Sequence, residues 1–382
     1  MESDFIRIAK WMLPLSWLYG MGVALRNALF DLHILKSHSY NIPIICIGNL
    51  SVGGTGKTPH TEYLLRLLSQ TYRVAVLSRG YRRKTSGYVL ATADSTVADI
   101  GDEPWQIKQK FPDIYVAVDR NRRRGIEHLC KDEATHDVDV ILLDDAYQHR
   151  YVQPGVNILL VDYHRMITDD CLLPAGRLRE PQSGKSRADI VIITKCPKDL
   201  KPMEFRVLTK ALNLYPYQQL FFTTLEYCPL EPLFCGSDLP LEEIPQGTNV
   251  LLLTGIASPK QMIMDLEPYV KSIEPMTFAD HHQFNERFAA MPEPKMIVTT
   301  EKDNARLFGQ EGLSEEVRHH IFRLPIRIKF MLGQEQEFNE KIIGYVRKNS
   351  RNSILAKAKD DHRSKDSHSA GNRPRTISFR NN

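Results

Sequence analysis

The sequence predicts an α/β protein of the P-loop NTPase type, with a mostly parallel sheet, helices on both faces and a smaller C-terminal α/β domain. Two observations support this fold. A glycine-rich turn joins a short apolar segment, Ile44–Ile47, to a stretch with leucines at helical spacing. Further apolar segments then alternate with helical ones, a pattern typical of a parallel sheet covered on both sides.

The chain of 382 residues has room for two domains. We predict a membrane-associated amphipathic helix at 1–36, a P-loop domain at 37–225, a smaller α/β domain at 226–346 and a disordered basic tail at 347–382. The tail contains ten Lys or Arg and three Asp or Glu, whereas the whole chain has a net charge of +4. The body is therefore slightly acidic, and we expect no nucleic-acid partner.

The N-terminal segment Trp11–Leu25 is uncharged and lies between basic residues. As a helix it would be about 22 Å long, which is short of the ~30 Å hydrocarbon core. A signal peptide and an ordinary packed helix are alternatives. Two tryptophans, a tyrosine and the flanking Lys and Arg favour a helix that lies in the membrane interface.

The turn after the first strand has the P-loop order of strand, glycine-rich loop, Gly-Lys-Thr and helix. The predicted nucleotide-binding residues are Ser51, Val52, Gly53, Gly54, Thr55, Gly56, Lys57 and Thr58. Lys57 would reach the β- and γ-phosphates, and Thr58 would place its hydroxyl on Mg²⁺. Ser51 stands where the motif has glycine, and the alternative is a strand-to-helix turn that is merely rich in glycine.

The remaining strands follow in order. In the P-loop domain they are Arg73–Leu77, Asp113–Val118, Val138–Leu143, Val156–Val161 and Ile190–Thr194; in the smaller domain they are Asn249–Leu253, Lys295–Thr299 and Ile321–Phe330. Ligands of such sheets bind at the carboxyl ends of the strands. The polar residues that follow these strands should therefore share one rim.

Asp144 and Asp145 follow an apolar strand, as in a Walker-B motif that holds Mg²⁺ directly or through water. Strand alternation places the two on opposite sides, so one would face the metal and the other would support it. An ordinary strand-end turn is the alternative. Asp102, in Gly-Asp-Glu-Pro, suits either a helix N-cap or a catalytic carboxylate.

Other polar residues give weaker signals. His281, within Asp-His-His, could be an acid–base partner, although a surface histidine is the simpler interpretation. Arginines near the rim, among them Arg79, Arg120 and Arg179, suit an anionic substrate or anionic lipid head groups. Lys195 ends a strand, where a solvated lysine is favoured over a nucleotide contact. Six scattered cysteines without a paired spacing indicate a reduced, cytosolic protein.

Taken together, the motifs resemble the tetraacyldisaccharide 4'-kinases of lipid A synthesis. The resemblance rests on these stretches in this order: 48–59 (GNLSVGGTGKTP), 78–81 (SRGY), 101–104 (GDEP), 144–149 (DDAYQH), 173–181 (LPAGRLREP), 254–257 (TGIA), 280–282 (DHH) and 299–303 (TTEKD). It spans roughly residues 1–345. Ala146-Tyr147 replaces the family's usual Gly-Phe, and the tail has no counterpart in the family.

The resemblance implies a peripheral or monotopic enzyme at the cytoplasmic face of the bacterial inner membrane. With ATP and Mg²⁺ it would phosphorylate the 4'-hydroxyl of a tetraacyl disaccharide 1-phosphate, giving lipid IVA, and would act as a monomer. Asp102 would be the general base, paired with His281, and Lys57 would steady the phosphoryl group. Thr58, Asp144, Asp145 and Glu180 would surround the metal; Asn49, Arg79, Tyr81, Arg120, Gln148, His149 and Arg179 would contact substrate.

Two other functions are compatible with parts of the sequence. A membrane-associated P-loop ATPase that switches conformation, with no small-molecule acceptor, would also use the glycine-rich loop and an interfacial helix. A kinase of a soluble sugar or vitamin would use the loop, but would have no reason for the apolar N-terminal segment. ATP consumption that depends on the lipid acceptor separates these alternatives.

Overall fold

A computed structural model describes residues 8–234, 236–255, 259–277, 296–303 and 315–350. The helices are α1 (Leu13–Asp31), α2 (Lys57–Leu68), α3 (Val97–Ile100), α4 (Asp102–Lys110), α5 (Arg122–Lys131), α6 (Pro202–Leu212), α7 (Lys260–Leu266), α8 (Glu315–Arg318) and α9 (335–350). Within those residues, no helix combines the length and the apolar content that crossing a bilayer requires.

The strands form two sheets. They are β1 (Ile44–Asn49), β2 (Val74–Ser78), β3 (Val89–Leu90), β4 (Tyr115–Val118), β5 (Val140–Asp144), β6 (Val156–Asp162), β7 (Ile190–Thr194), β8 (Gln219–Tyr227), β9 (Glu231–Pro232), β10 (Asn249–Thr254), β11 (Ser272–Thr277), β12 (Met296–Thr300), β13 (Ile321–Leu324) and β14 (Ile326–Phe330). The first sheet has the order β14-β8-β7-β6-β1-β5-β2-β4-β3, and the second has the order β11-β10-β12-β13-β9.

The first sheet confirms the predicted P-loop type of fold. Strands β8 through β4 run parallel, and the antiparallel strands β14 and β3 close the two edges. Strand β1 lies between β5 and β6 and is buried along its whole length. Its alternate residues pack against opposite helical layers, which explains why it reads as a continuous apolar run. The carboxyl end of β1 is thus the centre of the rim.

The C-terminal part of the chain returns to the first sheet, so residues that we predicted for the smaller domain contribute to both sheets. The sequence suggested one strand over Ile321–Phe330, but it divides at Pro325 into β13 in the second sheet and β14 in the first. Proline has no N–H to donate, so the ladder breaks there. Helix α9 then packs Phe338, Ile342 and Val346 into the core of the first domain. It continues to residue 350, and the rest of the predicted tail lies outside the described residues.

Candidate active site

The loop between β1 and α2 has the geometry that a phosphate cradle requires. Gly53 and Gly56 have φ angles of 124° and 80°, which side chains with a Cβ rarely adopt. Gly56 is the residue that precedes α2, so Lys57 and Thr58 form the first turn of the helix. The free N–H groups and the dipole of that turn favour a bound anion.

Side chains from neighbouring elements hold three successive carbonyl groups of this loop. The Lys195 ammonium contacts the carbonyl of Gly54, Thr194 Oγ1 donates to that of Thr55 at 3.0 Å, and His60 Nδ1 lies 2.7 Å from that of Gly56. We call Lys195, Thr194 and His60 the loop brace. They fix the loop conformation before any ligand binds. Lys195 also pairs with Asp162 at 2.6 Å, so it is not the solvated lysine that the sequence suggested.

His60 serves the brace as a neutral imidazole. Burial lowers the pKa of its ring to about 4. Because a carbonyl oxygen only accepts, Nδ1 must carry the proton that Gly56 receives. Nε2 then accepts from the Thr223 hydroxyl, which lies 3.0 Å away.

The two predicted acids at the end of β5 occupy different surroundings. Asp144 is buried and accepts from Thr61 Oγ1 on α2 at 3.3 Å. Burial, together with the charges of Glu103 and Asp145, raises its pKa to about 7. The charges of Lys57 and Arg122 lower this pKa but do not offset burial and the two neighbouring acids.

Asp145 faces the cations of the site. Its φ angle of 46° turns the chain at this point. Lys57 Nζ lies 3.6 Å from its carboxylate and Arg179 Nη1 lies 3.2 Å from it. Burial alone would raise the pKa of Asp145, but Lys57 and Arg179 outweigh burial and lower it. Asp145 is thus an ionised group next to the P-loop lysine.

Glu103 is an acidic residue of this site that the sequence analysis missed. It lies in the first turn of α4, and burial raises the pKa of its carboxyl while Lys57 opposes the shift. The charge of Asp145 also raises it. The adjacent acids of the Gly-Asp-Glu-Pro motif were the available signal, but only Asp102 was assigned a role. Gly101 occupies the N-cap position of α4, so the N-cap interpretation of Asp102 was wrong.

The residues around the P-loop suit Mg²⁺ bound with a nucleotide. Mg²⁺ commonly takes one or two carboxylates together with phosphate oxygens and water. Thr58, Asp144 and Asp145 supply such donors, and a bound cation would favour the ionised form of the buried Asp144 carboxyl.

Glu180 is less clearly part of this group. It is buried and pairs with Arg187 at 2.6 Å, while its Oε1 has no hydrogen-bond partner. Among the described residues, no three acidic, His or Cys side chains converge on one metal position.

Two predicted substrate residues lie behind the loop. Asn49 is fully buried and donates to Thr55 Oγ1 at 2.8 Å. Gln148 donates to the Asn49 carbonyl at 2.7 Å and also receives a 3.4 Å contact from Arg179. Asn49 therefore supports the P-loop, and Gln148 links the loop to Arg179.

The remaining predicted substrate residues lie on the rim. Arg79 and Arg120 are exposed directly after β2 and β4, and Tyr81 is 64% exposed. Within the arginine run after β4, Arg122 binds the Asp144 carbonyl and Arg124 pairs with Asp119, which leaves Arg120 facing solvent. The substrate role of Arg120 stays a prediction.

His149 is a neutral group in a positive environment. Burial and then Arg122 and Arg26 lower its pKa to about 4, and its Nε2 is buried without a hydrogen-bond partner. The predicted partner of Asp102, His281, lies outside the described residues, as do Asp280 and His282.

Comparison with known proteins gives consistent matches over nearly the whole chain. The family model for tetraacyldisaccharide-1-P 4'-kinase, LpxK, matches residues 8–347. Tetraacyldisaccharide 4'-kinase of Phocaeicola vulgatus is 57% identical over 363 residues, covering 92% of this chain and 99% of the relative. Its counterpart in Bacteroides thetaiotaomicron is 52% identical over 381 residues, covering 95% and 100%.

A solved structure is also similar. LpxK from Aquifex aeolicus, crystallised in complex with ATP, superposes with a TM-score of 0.70 at 28% sequence identity. The alignment covers 88% of this chain and 99% of the Aquifex chain.

Proposed function

Because this chain belongs to the tetraacyldisaccharide 4'-kinase family, we propose that its P-loop, its acidic pair and Asp102 act together in one phosphoryl transfer. The protein is an ATP-dependent kinase of lipid A synthesis, which phosphorylates the 4'-hydroxyl of a tetraacyl disaccharide 1-phosphate. The assignment of roles to individual residues is the part that we propose.

In this proposal the P-loop binds the phosphates and Lys57 guides the transferred group. The Lys57 ammonium lies 3.6 Å from the Asp145 carboxylate, and Lys57 is in the first turn of α2. The ammonium is therefore already held beside the P-loop. Thr58, Asp144 and Asp145 would hold Mg²⁺, and the two adjacent carboxylates at the end of β5, one of them buried, beside the P-loop helix support that assignment. When bound with ATP, Mg²⁺ neutralises charge on the phosphate oxygens.

Asp102 is the proposed proton acceptor. The 4'-oxygen forms a bond to the γ-phosphorus, the bond from that phosphorus to the β,γ-bridging oxygen breaks, and the hydroxyl proton passes to the Asp102 carboxylate. Asp102 begins α4, directly before Glu103, whose charge environment includes Lys57. The position of Asp102 in the first turn of α4, next to an acid whose pKa the charge of Lys57 lowers, is the single observation that most supports the role. A pairing of Asp102 with His281 stays a prediction.

Arg79, Tyr81, Arg120, His149 and Arg179 are proposed to contact the acceptor. Arg79 and Arg120 are exposed at the strand ends, where an anionic group would meet them. Arg179 bridges Asp145 and Gln148, so it connects the proposed metal site to this rim. A role for Glu180 at the metal is kept as a prediction, supported only by its unpartnered Oε1.

We also propose that α1 lies in the membrane interface at the cytoplasmic face of the inner membrane, with the protein a peripheral monomer. Exposed apolar side chains here include Trp11, just before α1, and Leu15, Trp17, Leu18, Met21 and Leu25 within it. Two other side chains of α1 attach it to the site: Tyr19 donates to the Arg179 carbonyl at 2.8 Å and Arg26 to the Gln148 carbonyl at 2.8 Å. A lipid acceptor would thus meet the rim beside the bilayer surface.

The function is tested by following labelled phosphate from ATP into lipid, with purified protein, Mg²⁺ and tetraacyl disaccharide 1-phosphate in detergent. We expect a bisphosphorylated product and little ATP loss without lipid. Lys57→Met should abolish transfer, whereas Lys84→Met, on a loop, should not. ATP hydrolysis that is independent of lipid, with no labelled lipid, would instead support a P-loop switch ATPase.

A further inference from the structure

Three charged side chains, each from a different element, are joined by ion pairs. Lys110 Nζ lies 2.6 Å from Glu62 Oε2 and 2.5 Å from Glu301 Oε1. Glu62 belongs to α2, Lys110 is the last residue of α4, and Glu301 follows β12 of the second sheet. We call these three residues the interdomain node.

The node is mostly removed from solvent. The side chains of Glu62, Glu301 and Lys110 are 2%, 11% and 21% exposed. Arg66 adds a second cation, 3.0 Å from Glu62, so two acids are balanced by two bases. Buried charges are costly unless they are paired, and removing one partner leaves the others uncompensated. The three charged groups therefore favour one relative placement of the elements that carry them.

Glu301 also contacts the place where the chain crosses between the domains. Its Oε2 lies 3.4 Å from the amide nitrogen of Ile326, the first residue of β14. The two crossing segments are joined to each other there, because the Cys228 amide donates to the Pro325 carbonyl at 2.9 Å. The node is therefore attached to these two crossing segments, at Cys228 and at 325–326, which we call the hinge.

Each helix of the node begins at a functional motif. Helix α2 starts with Lys57 and Thr58, and α4 starts with Asp102 and Glu103. At about 1.5 Å per residue, Glu62 lies about 8 Å along α2 from Lys57. Displacement of α2 or α4 at the node would therefore move the phosphate cradle relative to Asp102. Displacement of the two helices together would move the cradle and Asp102 relative to the second domain.

We propose that Glu62, Lys110 and Glu301 are positioning residues that set the angle of the second domain and align the P-loop with Asp102 during phosphoryl transfer. The proposal rests on the proposed function for the roles of Lys57 and Asp102. It assigns no direct contact with ATP or lipid to the node. Its loss should consequently reduce kcat and leave nucleotide affinity in place.

The decisive variant is Lys110→Met, which keeps the length of the side chain and removes its charge. We expect kcat to fall at least about tenfold, with the Kd for ATP within about twofold of the wild type. Lys110→Arg should restore most of the turnover. Glu301→Gln should also lower kcat. The double variant, Lys110→Met with Glu301→Gln, should lower kcat no further than the more severe single variant does, because the two residues act as a unit.

Hydrogen exchange supplies a readout that does not depend on activity. In Lys110→Met, peptides containing the amides of Cys228 and Ile326 should exchange faster, whereas peptides from β1 should not change. Glu231→Gln is the matched control, since it breaks a 2.5 Å ion pair with Arg323 that lies wholly within the second domain. This control should keep kcat and the exchange at the hinge.

The outcomes separate the two proposals. A folded Lys110→Met protein with wild-type kcat and wild-type exchange at the hinge would overturn the positioning role. A loss of kcat matched by an equal loss of ATP affinity would also overturn it, because the node would then affect only nucleotide binding by the P-loop. Absence of lipid phosphorylation by the wild-type protein would overturn the proposed function, while the exchange experiment would still test the node.

Discussion

At the scale of single residues, the site combines groups that the sequence reveals with groups that only folding brings together. Lys57, Thr58 and the acidic pair could be predicted because a short motif fixes their positions relative to a strand end. Thr194 and Lys195 could not, because their function depends on the approach of the end of β7 to the P-loop. His60 could not either, because its second partner, Thr223, comes from β8, far away in the sequence. Glu103 could not be separated from its neighbour Asp102, since periodicity does not show which of two acids faces a site.

Asp102 should control the chemical step. Asp102→Asn removes the proposed proton acceptor and keeps the size of the side chain, so we expect kcat to fall by about 10²–10⁴-fold with little change in KM. Steady-state kinetics with both substrates measures this. Asp113→Asn, at an exposed acid beyond the other end of α4, should leave both constants unchanged. A raised KM with intact kcat for Asp102→Asn would argue against the role of proton acceptor.

His149 should make the fold less stable in acid. Its pKa in the folded protein is about 4, below the unfolded value, so between about pH 6.5 and about pH 4 the unfolded chain takes up this proton and the folded protein does not. The free energy of unfolding therefore falls as the pH decreases through this window. We expect His149→Gln to lose less stability than the wild type between about pH 7.5 and pH 5 in urea unfolding. Equal losses would show that another group is responsible.

At the scale of elements, the positions of the buried strands along the first domain were predictable, whereas the sheet that the last strand joins was not. Apolar runs mark buried strands whatever sheet they join, so β13 and β14 read as one segment. Pro325 was visible in the sequence, but a proline alone does not tell whether a strand bends or changes sheet. β14 belongs to the first sheet because it pairs with β8, a strand about a hundred residues earlier in the chain.

The loop brace should govern nucleotide affinity. Thr194→Val removes the donor to the Thr55 carbonyl and keeps the shape of the side chain. One lost hydrogen bond of about 0.5–1.5 kcal/mol predicts a rise in the Kd for ATP of about 2- to 10-fold. Calorimetric titration measures it, and the KM for lipid should not change. Thr209→Val, which breaks a bond to Phe205 within α6, should leave ATP binding as it is.

Helix α1 should provide the attachment to lipid. Trp17 and Leu25 are 72% and 64% exposed, so Trp17→Glu with Leu25→Glu should spare the core. We expect binding to vesicles that contain anionic lipid to fall at least about tenfold in cosedimentation. Met203→Glu with Val207→Glu on α6 replaces apolar residues of similar exposure and should bind like the wild type. Equal losses in both double variants would point to non-specific adhesion.

At the scale of the whole molecule, the first domain depends on the end of the described chain. Helix α9 fills the core with Phe338, Ile342 and Val346, and the Tyr345 hydroxyl lies 3.1 Å from the amide nitrogen of Ile44, at the start of β1. From the sequence we named no helix here and placed the residues up to 346 in the smaller domain, because sequence proximity does not show which core a segment covers.

Phe338→Ala should therefore destabilise the P-loop domain. Replacing a buried phenylalanine by alanine costs about 3–5 kcal/mol. We expect the free energy of unfolding, measured by chemical denaturation, to fall by this amount. ATP binding should weaken at denaturant concentrations close to the unfolding midpoint. Truncation after residue 350 should leave the unfolding midpoint close to that of the full chain. A wild-type midpoint for Phe338→Ala would contradict the placement of α9 in this core.

The return of the chain to the first sheet has a consequence for biosynthesis. A ribosome makes the P-loop and most of its sheet early, but β14 and α9 emerge only after the entire second domain has been translated. At about 5–20 residues per second, the nascent P-loop domain waits for several seconds with the edge of β8 unpaired. Unpaired strand edges invite association with other chains. We infer that this waiting interval is the period in which a newly made copy most needs a chaperone.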